Sequence, residues 1–395
     1  MKRPLQNTIK VEKRFIMELN VIKRITVVCL TLVMLFSAAT ISFADSTNAT
    51  DSGKDAVTYS DRMVLKQFVA GLEESRTIRT YKTITDFEDN NYIVVECDPI
   101  GYVIYQPSSK EVVEYSEYSQ SPYYNYSGDL KYCGPTEYYY NNDSKGEYVN
   151  TISKETISSD MEELYSSASK ALKEQLESDG NAKDRLATDK ESLEKNNSYT
   201  YVDHKSFIEN LDTKDKMGYF YKKSEGGVCG YIAAGIVLLY HDKYYNNSFI
   251  VNSTYLANQG KEFKDNSFTR HLYYTIGKSV LNYDNSLTAG QAANVMKKYL
   301  SRDRNISINY WSITGPSESI IKDKIKNTKK PLIYENKFTS PKDDSSETVH
   351  HDVVIYGYNS KYLVAHFGWE DYSNVKCNGK ALAVWNNSAS GISYY

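Results

Sequence analysis

The run Gly226-Gly227-Val228-Cys229-Gly230-Tyr231-Ile232-Ala233-Ala234-Gly235 constrains the fold more than any other stretch of the chain. It opens a helix predicted over 229–245, in which Ile232, Ala233, Ile236, Val237 and Tyr240 recur at helical spacing as one apolar face. That face has to be covered, so the surrounding chain must supply a sheet or more helices. The same run puts a cysteine at a helix mouth. Unpaired amides and the macrodipole there favour thiolate over thiol, which predicts a lowered Cys229 pKa. The free N–H of Cys229 is placed to serve in an oxyanion hole, and the flanking glycines let a substrate backbone approach. The competing reading is a structural cysteine, or half of a disulfide with Cys377.

Periodicity supplies the cover. Val353 to Ile355, Leu363 to Phe367 and Ala381 to Trp385 read as an antiparallel sheet. Thr288-x-x-Gln291 caps a helix carrying Ala292, Val295, Met296 and Tyr299. Ser317 to Lys326 is another helix, ended by Pro331, and Leu332-Ile333-Tyr334 is a short strand. Helices first and strands last predict an α+β domain over 199–395. Before it, a helix over Ser60 to Glu74 leads into strands Tyr92 to Glu96, Tyr102 to Tyr105 and Glu111 to Tyr115. Ser159-x-x-Glu162 then opens a helix with Leu164, Ala168 and Leu172 on one side. This gives a smaller α+β domain over 45–198. Its last part, from Ser178 to Asn197, is dense in Lys, Asp, Glu and Asn and reads as a solvated connector.

Residues 1–44 read as an export signal. Lys10, Lys13, Arg14, Lys23 and Arg24 precede the apolar run Ile25 to Phe36, and Ser42-Phe43-Ala44 is an A-x-A-like cleavage site. An uncleaved membrane anchor is the alternative. The net charge of -3 gives no reason to expect a nucleic-acid partner. After the signal four cysteines remain, Cys97, Cys133, Cys229 and Cys377. An oxidising compartment would permit two disulfides among them, Cys97 with Cys133 or Cys229 with Cys377 being the pairings that matter.

A thiolate nucleophile needs an imidazole to hold its proton and return it to the leaving amine. His241 lies on the Cys229 helix about 18 Å along and cannot serve. His204 and His271 sit in polar surroundings and read as surface residues. His350 and His351 open the strand His351-Asp352-Val353-Val354-Ile355-Tyr356-Gly357-Tyr358. Asn359-Ser360 reads as a two-residue turn into Tyr362-Leu363-Val364-Ala365-His366-Phe367. That register sets His366 opposite Val353, on the face of His351 and diagonal to it, with His350 and Phe367 on the other face. Two satisfied sheet histidines are the plain alternative. A zinc site of His350, His351 and His366 is disfavoured, because His350 points away and no acidic ligand completes it. No cofactor or metal is expected.

Together these residues resemble the papain-like cysteine peptidases, more closely their streptopain-like and bacteriocin-leader-processing-like bacterial branches. The family pattern is a Cys opening a long helix, then His-x-Val-x-x-x-Gly-Tyr, then a strand with an orienting Asn or Asp shortly before Gly-Trp. Cys229-Gly230 matches, and His351-Asp352-Val353 with Gly357-Tyr358 follows about 120 residues later, before Tyr362 and Gly368-Trp369. The resemblance covers Tyr199 to the C-terminus. It implies Cys229 as nucleophile, His351 as base and a peptide or protein substrate. Two departures stand out. His366 occupies the orienting position, where a neutral imidazole can accept from His351. Tyr219 to Val228 contains no Gln or Asn to act as the family's oxyanion donor, leaving Lys223, Ser224 or the Cys229 amide. The resemblance also makes the N-terminal domain a propeptide that covers the cleft as an inhibitor, with the polar connector as processing site; the alternative is a retained binding domain. Two other activities fit the same scaffold, a cell-wall peptide amidase and a non-catalytic binding protein.

Overall fold

Strands and helices share the part of the chain that the computed structural model describes, namely residues 57–142, 144–157, 161–178, 198–211, 227–258, 260, 262–283, 286–339, 348–383 and 386–393. The export-signal segment, most of the polar connector and the stretch 219–226 searched for an oxyanion donor lie outside these residues.

Helix α1 (Tyr59–Ala70) starts at Thr58, whose side chain accepts from the Asp61 N–H. Strands β1 (Thr77–Thr85), β2 (Asn91–Asp98), β3 (Tyr102–Gln106) and β4 (Glu111–Ser116) follow as a meander. After them come β5 (Leu130–Tyr132), β6 (Tyr138–Asn142), β7 (Glu147–Asn150), β8 (Thr156–Ile157) and helix α2 (Glu162–Glu177). Met161 caps α2 without a side-chain bond, and Ser159 of the expected capping box lies outside the described residues. The second half contains β9 (Thr200–Tyr201), α3 (Cys229–Tyr244), the short pair β10 (Leu256–Ala257) and β11 (Glu262–Phe263), and α4 (Ala289–Asp303). It closes with β12 (Asn309–Thr314), α5 (Glu318–Thr328), β13 (Leu332–Thr339), β14 (Thr348–Tyr358), β15 (Tyr362–His366), β16 (Val375–Asn378), α6 (Gly379–Ala383) and β17 (Asn386–Ser393).

The fold is α+β, with the helix bearing Cys229 packed on an antiparallel sheet bearing His351. Strand order is β12-β17-β13-β14-β15-β16-β4-β3-β2-β1-β5-β6-β7-β8, with β9 added to β14. Every pairing in it is antiparallel except β1 with β5. Helix α3 is buried on every side over residues 229–242, not along one face as its periodicity suggested. The cause is packing from several directions: β13 and β14 below, α4 and the π-helical segment His271–Leu281 beside it. The expected capping box of α4 forms, Thr288 accepting from the Gln291 N–H while Gln291 accepts from the Thr288 N–H.

One expected strand is a helix. Lys380-Ala381-Leu382-Ala383 are good helix formers, and Asn378 Oδ1 caps them by accepting from the Lys380 N–H at 3.0 Å. The strand falls later, as β17, held between β12 and β13. Its run of Asn, Ser and Gly has little strand propensity, so pairing on both edges decides it.

The N-terminal strands continue the C-terminal sheet through β4 and β16, where Cys377 faces Glu114 and Lys376 faces Tyr115. Side chains cross this seam too. Ser116 donates to the Asn374 carbonyl at 2.9 Å, and Tyr372 donates to the Gln120 carbonyl at 3.1 Å. Lys376 pairs with Glu117 at 3.6 Å, each side chain only 2% exposed. All four cysteines of the described residues are buried and unbridged, so neither Cys97 with Cys133 nor the alternative pairing of Cys229 with Cys377 forms.

Candidate active site

Cys229 is the first residue of α3. Val228 at the cap position makes no side-chain hydrogen bond to the helix, and its carbonyl accepts from the Tyr231 and Ile232 N–H groups. The Cys229 side chain turns onto β14, where its thiol donates to Asp352 Oδ2 at 3.8 Å. Gly230 makes this approach possible: a Cβ there would stand 2.7 Å from Asp352 Oδ2 and 2.9 Å from Leu287 Cβ. The glycine that the sequence suggested for substrate access therefore accommodates a carboxyl group.

Electrostatics differ from the expected thiolate. Burial, and after it the Asp352 carboxyl, push the Cys229 thiol well up, against the N–H groups of Asp352 and Gly230, which favour the anion. Burial also raises Asp352, with Glu335 across the ladder adding to the rise. Both shifts favour the protonated form of each group. A smaller push on Cys229 comes from the Glu155 carboxylate of the N-terminal half.

His351 precedes Asp352, and strand alternation turns the two side chains to opposite faces. Its Nε2–H donates to the Phe367 carbonyl at 2.8 Å, and its ring lies 4.4 Å from that of Trp369. A carbonyl accepts only, so the neutral imidazole carries its proton on Nε2 and presents a bare Nδ1. Among the described residues no hydrogen bond reaches Nδ1, and none joins His351 to Cys229. Burial holds His351 down at about 4, with the Phe367 carbonyl opposing. The turn carrying Phe367 nevertheless sits over the start of α3. Gly368, at φ +77°, lies where a Cβ would be 3.1 Å from Ile232, one helical turn beyond Cys229.

His366 is not diagonal to His351. The ladder pairs it with Val354, on the Asp352 face, and two local features explain the change. Asn359 donates to the Tyr362 carbonyl, centring the turn on Ser360-Lys361. A bulge at Tyr356 then shifts the register by one residue and reverses the faces. Gly357 permits the bulge, since a Cβ there would meet the Tyr201 ring of β9 at 2.5 Å, and the Val202 N–H takes the Tyr356 carbonyl. His366 Nδ1 instead accepts from the Gly368 N–H at 2.9 Å and pins the turn that offers the Phe367 carbonyl. The orienting contact to His351 is thus a main-chain oxygen, which no side-chain motif could reveal. His350 lies in β14, with its side chain outside what is described. Among the described residues no group of His, Cys, Asp or Glu is arranged to hold a metal ion.

A cavity of about 610 Å³ opens beside Trp369, lined by Tyr124, Tyr126, Thr151 and Lys154 from the first half and Trp369 and Tyr372 from the second.

No family model matches the sequence, and no curated protein does. Solved structures show similarity, among them the following two. A fragment of prointerpain A from Prevotella intermedia is 12% identical, with 79% of this chain and 98% of that one covered at a TM-score of 0.36. A C39-like peptidase from Bacillus anthracis is 13% identical, with 49% and 98% covered at a TM-score of 0.31.

Proposed function

We propose that the chain is an exported papain-like cysteine endopeptidase, made as a latent precursor whose N-terminal strands must shift or leave before substrate enters. One observation carries the reading. A cysteine opens a buried helix against the strand of a histidine whose Nε2 is fixed on a carbonyl, which leaves Nδ1 as a ready proton acceptor. In the reaction the thiol first turns from Asp352 to His351, whose Nδ1 takes its proton as Cys229 Sγ attacks the peptide carbonyl carbon. The C–N bond then breaks as the imidazolium returns the proton to the amine, and water hydrolyses the thioester. The Cys229 N–H faces the oxyanion. His366 acts through the turn it pins. Latency is supported by the neutral thiol, the neutral imidazole and the nearby Glu155 carboxylate. Export is supported by the apolar run Ile25 to Phe36 behind its basic flank.

A second reading, a non-catalytic binding protein on the same scaffold, is favoured by the thiol's engagement with Asp352 in place of His351. The two part in one experiment on the secreted full-length protein. Wild type is expected to shorten itself at the N-terminus and cleave a denatured protein substrate, and Cys229→Ala to do neither. Equal processing of Cys229→Ala with no protease added would refute the peptidase reading.

A further inference from the structure

Asp352 has no part in the peptidase chemistry above, yet it is the group that touches the sulfur. Its Oδ2 lies 3.8 Å from Cys229 Sγ, and its Oδ1 is buried with no hydrogen-bond partner among the described residues. Asp352 is followed in its strand by the apolar run Val353-Val354-Ile355-Tyr356, and a buried acid there is costly unless paired. The position is also reserved for it, since Gly230 leaves the space that the carboxyl fills.

We propose that Asp352 is a positioning residue that shares one proton with Cys229 and thereby sets how readily the sulfur ionises. The pair can lose its first proton from either atom. With the charge on the carboxylate, the thiol donates to it and stays a thiol; with the charge on sulfur, the carboxylic O–H donates to the thiolate. The carboxyl is intrinsically the stronger acid, so the first proton leaves from oxygen and the sulfur is held back. Ionising both would set two negative charges side by side away from water.

Other groups around the pair reinforce this. Glu335 of β13 is the cross-strand partner of Asp352, with its Oε2 accepting from the Ala289 N–H at 3.2 Å and from Ser388 of β17. Glu155 adds negative potential from the N-terminal half. The Gly230 N–H of α3 favours the anion, and His351 on the opposite face of β14 is held neutral. An activating change that turns the thiol from Asp352 towards His351 would release it from the competing acid. That consequence rests on the peptidase reading; the proton-sharing does not.

The test is the rate at which iodoacetamide alkylates Cys229 in the full chain, followed by peptide mass mapping across pH. Asp352→Asn keeps the shape and removes the competing acid. Its Cys229 is expected to react at least about tenfold faster at pH 7, the effect of one pKa unit. An unchanged or slower rate in folded Asp352→Asn overturns the proposal. Should that variant fail to fold, wild type alone decides: a shared proton gives a rate rising in two steps with pH, whereas a single step overturns it. Faster alkylation in Asp352→Asn with no cleavage by either protein would support this inference and count against the peptidase reading. Cleavage by wild type with identical alkylation in both proteins would do the reverse.

Discussion

Glu114 sits at the seam where β4 meets β16, wholly buried and opposite Cys377. Three hydroxyls donate to it, Tyr138 at 2.7 Å, Tyr102 at 2.8 Å and Tyr132 at 3.1 Å. Burial raises its pKa from 4.5 to about 7 in spite of those donors. A raised folded-state value means that the native protein binds the proton more tightly than the unfolded chain. The resulting stability is fully present below pH 4.5 and is lost as pH rises through 7. At about 1.4 kcal/mol per tenfold, that displacement amounts to roughly 3 kcal/mol. Glu114→Gln keeps the size and an acceptor for the tyrosines but cannot ionise. Urea unfolding of both proteins at pH 5 and pH 8 reads the difference. Wild type is expected to lose most of that roughly 3 kcal/mol beyond what the variant loses. Glu137, also raised to about 7, is present in both and cancels. Equal losses in the two proteins would show that Glu114 does not titrate in this range, and the argument that burial outweighs three tyrosine hydroxyls would fall.

Two further outcomes follow from packing. Lys376→Ala leaves Glu117 charged and buried at the same seam, so thermal unfolding should show a loss of about 3–5 kcal/mol. A loss of about 1 kcal/mol or less, typical of an exposed pair, would contradict the burial. Gly230→Ala forces a methyl against Asp352 and Leu287, and should cost about 1–3 kcal/mol in denaturant unfolding. Unchanged stability would mean that the carboxyl does not occupy that space.

Much of this arrangement was legible in the sequence where local chemistry decides it. Cys229 does open its helix, Thr288 and Gln291 do form their reciprocal cap, and the meander from Asn91 to Ser116 follows its Tyr, Val and Ile runs. Long-range effects hid the rest. The bulge at Tyr356 lies where Tyr201 pairs in from far upstream, and it moved His366 to the other face. β17 is made a strand by two neighbours, not by its own residues. Asp352 left one readable trace, an acid set next to a histidine in an apolar strand, which alternation alone turns away from the histidine.

The state of Cys229 comes down to which of two opposed effects is larger. A helix N-terminus favours a nearby anion by about 0.3–1 kcal/mol, up to about 2 when partly buried, hence about one pKa unit. Full burial can act the other way by about 3–5 units, and the Asp352 carboxyl adds to it. Burial therefore wins, although the helix terminus is where a low thiol pKa was expected. The balance reverses only if water reaches the sulfur or the carboxyl moves away from it. The strands that continue the sheet beyond β16, with Glu155 at their far end, belong to the first half of the chain. Displacing that half would take the Glu155 carboxylate away from the sulfur, a change that favours the thiolate.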